Sequence, residues 1–176
     1  MNKHILRIVI PCRFGYLNCW QPGNNNGGKY SISAIIDKND TDTVKKIRDA
    51  IDEVITNNTQ IWGGKIPPAL RSPLHDGDEE KSENSIYKNS LYINAKSKTK
   101  PEIVDRNIEP IKNQTEVYSG CYGNVSLTLY PYNFSGNRGI AASLGNIQKI
   151  QDGEPLFNVY SAKQDFSGTD NKDFLN

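Results

Sequence analysis

Two stretches of this 176-residue chain combine aromatic rings and ammonium groups at the spacing of a β-strand. The first, LYINAKSKTKP at 91–101, puts Tyr92, Asn94, Lys96, Lys98 and Lys100 on one parity and Ile93, Ala95, Ser97 and Thr99 on the other. Alternate residues of a strand project from one face about 7 Å apart. That separation is close to the phosphate spacing of an extended single strand of nucleic acid. A row of lysines there can neutralise successive phosphates and release their counterions. The second stretch, VYSGCYGNVSLTLYPY at 117–132, places Val117, Cys121, Val125, Leu127 and Leu129 on an apolar face. Tyr118, Tyr122, Asn124, Ser126, Thr128, Tyr130 and Tyr132 take the other, and Gly120 leaves space between Tyr118 and Tyr122. Phenol rings on an open strand face can stack on unpaired bases, each worth roughly 1–3 kcal/mol. The structural alternatives are an edge strand guarded by lysines and tyrosines that merely cover the rim of a core.

Further rings and cations lie in or near loops: Tyr16, Trp20, Trp62, Lys65, Arg71 and Arg138. Trp62 precedes Gly63-Gly64-Lys65, and Arg138 sits in SGNRG, the pattern of a hairpin tip. Trp62 and Arg71 are expected to close over a ligand from a long loop, with Arg138 on a phosphate; anchoring of the loop to the body is the alternative for Trp62. The acidic run Asp76, Asp78, Glu79 and Glu80 lies beside His75. It has oxygens for a divalent cation but neither the alternation nor the later bidentate Glu of an EF-hand loop, so it reads as a solvated turn. GxxxxGK[ST], GxSxG and HExxH are all missing. Cys12, Cys19 and Cys121 are odd in number and form no CxxC pair, which suits a reducing compartment, with Cys121 as a small buried hydrophobe. No catalytic residue, metal or cofactor is expected.

Lys and Arg number 21 against 20 Asp and Glu, a formal net charge of +1. Bulk charge therefore cannot hold this protein to a polyanion, and any such site must be a local patch. The apolar runs fall far short of the roughly 18 residues that span a bilayer, and the N-terminus lacks the pattern of a signal peptide. A cytoplasmic location is expected.

The elements that must position these groups follow from periodicity. Residues 5–20 alternate as a strand, with Pro11 at an edge or bend. Gln21–Gly28 is a turn-rich loop, and Tyr30–Asp37 alternates again, predicting an antiparallel hairpin. Residues 40–57 predict the one clear helix, capped by Asp40 or Thr41, with Val44, Ile47, Ile51, Val54 and Ile55 as its apolar stripe. Residues 58–90 carry no periodicity and predict a long irregular loop. Strand character returns over 91–105 and 117–132. Residues 139–150 suit either a strand interrupted at Gly145 or a short helix followed by a strand. This order predicts a mainly β domain with one main helix over residues 1–160: an OB-fold, a five-stranded Greek-key barrel, followed by a flexible, mildly acidic tail at 161–176.

Several strings resemble, in combination, a family of phage and prophage proteins from Gram-positive hosts, long listed as a domain of unknown function. They are RFGYLNCWQP, KYSISAIIDKND, WGGK, LRSPLHDGDEE, YINAKSKTKPEIVDR, VYSGCYGNVSLTLYPYN, NRGIAASLGNIQKIQDGEPL and the closing DF-containing tail. The likeness runs from about Arg13 to Phe166, and that family is similar to the podovirus-type single-stranded DNA-binding proteins. It implies an OB fold, sequence-tolerant binding of single-stranded DNA, and work in phage replication, recombination or repair. It also implies a homodimer whose acidic tail meets replication or recombination proteins; here the tail ends Phe174-Leu175-Asn176 and is only mildly acidic. The residue patterns add the expected contacts: Tyr92, Tyr118 and Tyr122 under bases, Lys96, Lys98 and Lys100 on phosphates, and Trp20, Trp62, Arg71 and Arg138 around them. Two other readings compete. One is a non-catalytic protein–protein assembly module of a phage; the other is a metal-dependent nuclease built on Asp76, Asp78 and Glu79.

Overall fold

Isoleucine, leucine and valine recur at every second residue of the long strands, and each strand turns that face inward. Ile8, Ile10, Cys12 and Phe14, Ile32, Ala34 and Ile36, Ile93 and Ala95, and Val125, Leu127 and Leu129 are all buried in one core. The computed structural model describes residues 2–158 and 160–175. Its strands are β1 (Leu6–Asn18), β2 (Tyr30–Asp37), β3 (Leu74–Asp76), β4 (Ser90–Ser97), β5 (Ile103–Val104), β6 (Tyr122–Phe134) and β7 (Asn137–Gln151). β1 pairs antiparallel with β2 over Arg13–Asn18 and with β6 over Leu6–Arg13. β2 pairs with β4, β6 with β7, and β4 closes onto β7 through Lys96 and Ser143. The result is the expected closed five-stranded barrel of the OB type, with β3 added outside β4 and β5 beside β7. Closure removes most free strand edges. An edge remains where β1 has left β2: Pro11 lies there, and the Lys46 ammonium donates to the Val9 carbonyl at 2.6 Å.

Helix α1 (Thr41–Thr56) begins where the Asp40 side chain accepts from the Thr43 N–H at 3.2 Å. It buries Ile47, Ala50, Ile51 and Val54 and packs on β1, β6 and β7. Residues 58–90 are more ordered than their lack of periodicity predicts. They form a 3-10 turn at Thr59–Trp62, β3, a single helical turn α2 (Gly77–Glu80) and another 3-10 turn at Ser85–Tyr87. Each piece is too short to show a period, and side-chain caps hold them: Asp76 accepts from the Asp78 N–H and Asn84 from the Ile86 N–H. The interruption at Gly145 is a bulge within a single strand, where the Asn146 N–H donates to Ser126 Oγ at 2.7 Å. Strands β6 and β7 meet at a two-residue turn with Ser135 at φ 49° and Gly136 at φ 79°, both positive as a tight hairpin of this hand requires.

Two strand expectations are corrected. Strand β4 ends at Ser97, whose hydroxyl accepts from the Thr99 N–H, so Lys98 and Lys100 lie in the turn beyond it and do not continue the face of Lys96. Strand β6 starts only at Tyr122, because Gly120 turns the chain at φ 121°. Tyr118 therefore precedes the strand and shares no face with Tyr122. Beyond β7, α3 (Ala162–Phe166) opens on a capping box between Ser161 and Gln164, and residues 161–175 are exposed throughout. Asn176, which closes the expected tail, lies outside the described residues.

Candidate functional site

The outer face of β6 carries Thr128, Tyr130 and Tyr132 next to the outer residues Ser143, Ala141 and Gly139 of β7. Across the closing seam stands Lys96 of β4, in register with Ser143. Small side chains on β7 thus form a floor between two taller walls, tyrosines on one side and Asn94 and Lys96 on the other. The resulting trough has a volume of about 350 Å³. Its walls include Lys29, Arg71, His75, Lys96, Tyr130 and Tyr132, and no carboxylate lines it among the described residues.

Arg71 reaches the trough because its backbone joins the β6–β7 hairpin. Its N–H donates to the Arg138 carbonyl at 3.0 Å, and its carbonyl accepts from the Ile140 N–H at 2.9 Å. Gly139 permits this, since a Cβ there would run into the Arg71 carbonyl and the Tyr132 hydroxyl. Arg71 and Arg138 also line a second hollow at the hairpin tip, which continues from the trough. None of Lys29, Arg71, Lys96 and Arg138 has an ion-pair partner among the described residues. By contrast Lys38, Lys45 and Lys149 are all paired. Three unneutralised cations in the trough and Arg138 in the adjoining hollow form a local positive patch on a chain of net charge +1.

Of the ten residues singled out in the sequence, the structure brings Lys96, Arg71 and Arg138 together here. It separates the rest for identifiable reasons. Tyr92 lies on the Lys96 face of β4 but is 2% exposed, so it cannot receive a base. The segment from β3 to the Ser85–Tyr87 turn covers it: His75 stacks on its ring at 5.1 Å, and the tilted ring of Tyr87 packs against it at 4.5 Å. Its hydroxyl donates to Glu80 at 3.1 Å, and burial, reinforced by that carboxylate, pushes its pKa up to about 12. Tyr118 is half-buried, with its hydroxyl donating to the Gly153 carbonyl at 2.8 Å. Tyr122 is 41% exposed and lies under the Arg13 guanidinium at 5.3 Å. It pairs with Gln151 of β7 whereas Lys96 pairs with Ser143, so the two are eight residues apart along β7, roughly 26 Å at strand rise. Trp62 is buried and its indole N–H donates to the Tyr132 carbonyl at 3.1 Å, and Trp20 is half-buried with its N–H on the Val117 carbonyl at 3.1 Å. Both anchor loops to the barrel. Lys98 and Lys100 are exposed in the turn after β4, outside the trough.

Lys29, Tyr130 and Tyr132 also line the trough, although they are not among those ten residues. A usable signal for the trough was present in GIAASLG, where Gly139, Ala141, Ser143 and Gly145 put four small residues on one parity beside a strand bearing tyrosines.

The acidic run is engaged structurally. Lys38 bridges Asp76 at 2.8 Å and Asp78 at 2.7 Å, and Glu80 accepts from both His75 and Tyr92. The Lys38 ammonium holds the Asp76 and Asp78 carboxyls below their ordinary range. A depressed folded-state pKa contributes stability that is complete above the unfolded value and is lost as pH falls through the folded one. An Asp76→Asn/Asp78→Asn variant is therefore expected to be less stable than the parent at pH 7, with a flatter decline on acidification. Urea unfolding at pH 7 and pH 3 measures both. Burial pushes the Cys12 thiol far up and the Cys19 thiol up to about 12, so neither is a nucleophile at neutral pH.

Comparison with known proteins adds to this geometry. A family model described as Enterobacter phage Enc34, ssDNA-binding protein, matches residues 6–175. Putative protein p50 of Acyrthosiphon pisum secondary endosymbiont phage 1 is 33% identical over 136 residues, covering 72% of this chain and 71% of that protein. Among solved structures, the C-terminally truncated single-stranded DNA-binding protein of bacteriophage Enc34 has a TM-score of 0.71 at 22% identity, over 86% of this chain and 88% of that one. The same Enc34 protein in complex with ssDNA has a TM-score of 0.69 at 24% identity, over 87% and 89%. These structural likenesses share the barrel described above.

Proposed function

Because the chain belongs to the family of the single-stranded DNA-binding protein of Enterobacter phage Enc34, we propose that it binds single-stranded DNA along the trough between β4 and β6, without sequence preference and without catalysis. The observation that carries this reading is the set of four cations without an ion-pair partner among the described residues, Lys29, Arg71 and Lys96 along the trough and Arg138 in the adjoining hollow, around a floor that includes Ala141 and is flanked by Tyr130 and Tyr132. The cations neutralise phosphates, and the two half-exposed phenols offer flat surfaces to unstacked bases. Duplex DNA is disfavoured by the same geometry, since its bases have no free face to offer.

Protection of unpaired strands during phage DNA replication, recombination or repair follows from such binding, in the host cytoplasm where phage DNA is copied. No helix among the described residues is long and apolar enough to cross a membrane. A homodimer, and docking of the exposed tail with Phe166 and Phe174 on a replication or recombination protein, belong to the same proposal. A Gram-positive host, which the sequence resemblance implies, is part of it as well. The test is a fluorescence titration with poly-dT at 50 and 200 mM salt. Tight binding that weakens steeply with salt is expected. No binding at 50 mM salt, or binding indifferent to salt, overturns the proposal.

A further inference from the structure

His75 is the residue beside the acidic run that neither the barrel core nor the cation patch accounts for. It sits on β3 and lines the trough together with Lys29, Arg71 and Lys96. Its ring is fixed from two sides. One face stacks on Tyr92 at 5.1 Å with 23° between the planes. Its Nδ1 lies 2.8 Å from Glu80 Oε2, which also accepts the Tyr92 hydroxyl. A carboxylate accepts, so Nδ1 carries the proton and the neutral ring keeps a bare lone pair on Nε2. Nε2 has no partner among the described residues.

We propose that His75 is a proton-gated phosphate contact of the trough, a reading that rests on the DNA-binding role assigned to that trough. With Nδ1–H held on Glu80, the neutral ring presents only an acceptor at Nε2 and has nothing to give a phosphate oxygen. Protonation of Nε2 turns the same atom into a donor and adds a fifth positive charge to the patch. The groups around the ring set the linkage. Glu80 of α2 sets its carboxylate against Nδ1. Asp76, the next residue, is already neutralised by Lys38. Tyr92 of β4 is a neutral donor. Lys29, Arg71 and Lys96 across the trough oppose a further positive charge while the trough is free of anions. A phosphate cancels that opposition, so strand binding and proton uptake at His75 promote each other. By linkage, affinity gained through His75 is present at low pH and is lost as pH rises.

The chain has two histidines, and the other, His4, precedes β1 and sits against Glu53 of α1. The experiment is therefore a poly-dT titration at pH 6 and pH 8, over a salt series, of the parent, His75→Gln, His75→Lys and His4→Gln proteins. Circular dichroism checks that each is folded. The parent is expected to bind about three- to tenfold more tightly at pH 6, with a log–log salt slope steeper by about 0.7 for one more neutralised phosphate on a single strand. His4→Gln should behave like the parent. His75→Gln should bind at both pH values as the parent does at pH 8, and His75→Lys as the parent does at pH 6. A pH effect that survives in His75→Gln overturns the proposal and leaves the trough standing. Binding insensitive to Lys96→Ala and Arg71→Ala in the same assay overturns the trough itself.

Discussion

An Arg71→Ala/Lys96→Ala/Arg138→Ala variant is expected to lose at least tenfold in affinity for poly-dT at 100 mM salt, while its folding is unchanged. All three side chains are free of ion pairs within the described protein, so their removal leaves no buried group unsatisfied. Their contribution is to phosphate, and each lost contact should flatten the log–log salt dependence by about 0.7, or about 2 for the set. Tyr130→Ala and Tyr132→Ala should each weaken binding by roughly 1–3 kcal/mol with the salt slope unaltered, because stacking releases no counterions. A Lys98→Ala/Lys100→Ala variant separates this site from a general attraction of exposed lysines. It removes two charges close to Lys96 in sequence but outside the trough, and its effect should be well under that of the triple variant. A mobility shift with a salt series measures all of these. Equal losses for the two lysine and arginine sets would return the site to the turn after β4.

Trp62→Ala is expected to act on stability, with an unfolding free energy lower by about 3–5 kcal/mol, the usual cost of truncating a large buried aromatic ring. The indole is 8% exposed, packs in the main core and donates to the Tyr132 carbonyl. Its loss leaves a cavity and removes the hydrogen bond that ties the Thr59–Trp62 turn to the outer end of β6. The prediction distinguishes an anchor from a mobile contact. An anchor lowers the urea midpoint and leaves the affinity of the folded fraction within about threefold, since the trough cations stand on other supports. A mobile contact would lower affinity and leave the midpoint where it was. Unfolding followed by tryptophan fluorescence from Trp20, beside the poly-dT titration, reads both.

The alternation of apolar residues was enough to read the inward faces of β1, β2, β4 and β6, because a period of two leaves one choice of buried side for each strand. The capped stripe of α1 was legible for the same reason with a period near 3.6. Gly120 and the SKTKP turn were harder, since parity carries no mark of where a strand stops. Extending it through Gly120 joined Tyr118 to Tyr122, and extending it past Ser97 joined Lys98 and Lys100 to Lys96. The order of the barrel was beyond local pattern altogether. Strands β4 and β6 each bear suitable side chains, but β7 lies between them. Which ends of the two strands face each other was decided by the pairing of Lys96 with Ser143 and of Tyr130 with Ala141. That pairing set Tyr130 and Tyr132 beside the lysine and carried Tyr122 to the far end. The covering of Tyr92 was likewise a tertiary decision: the 74–90 segment has no period of its own, and only the hydrogen bonds and ring contacts that it makes to β4 fix where it lies.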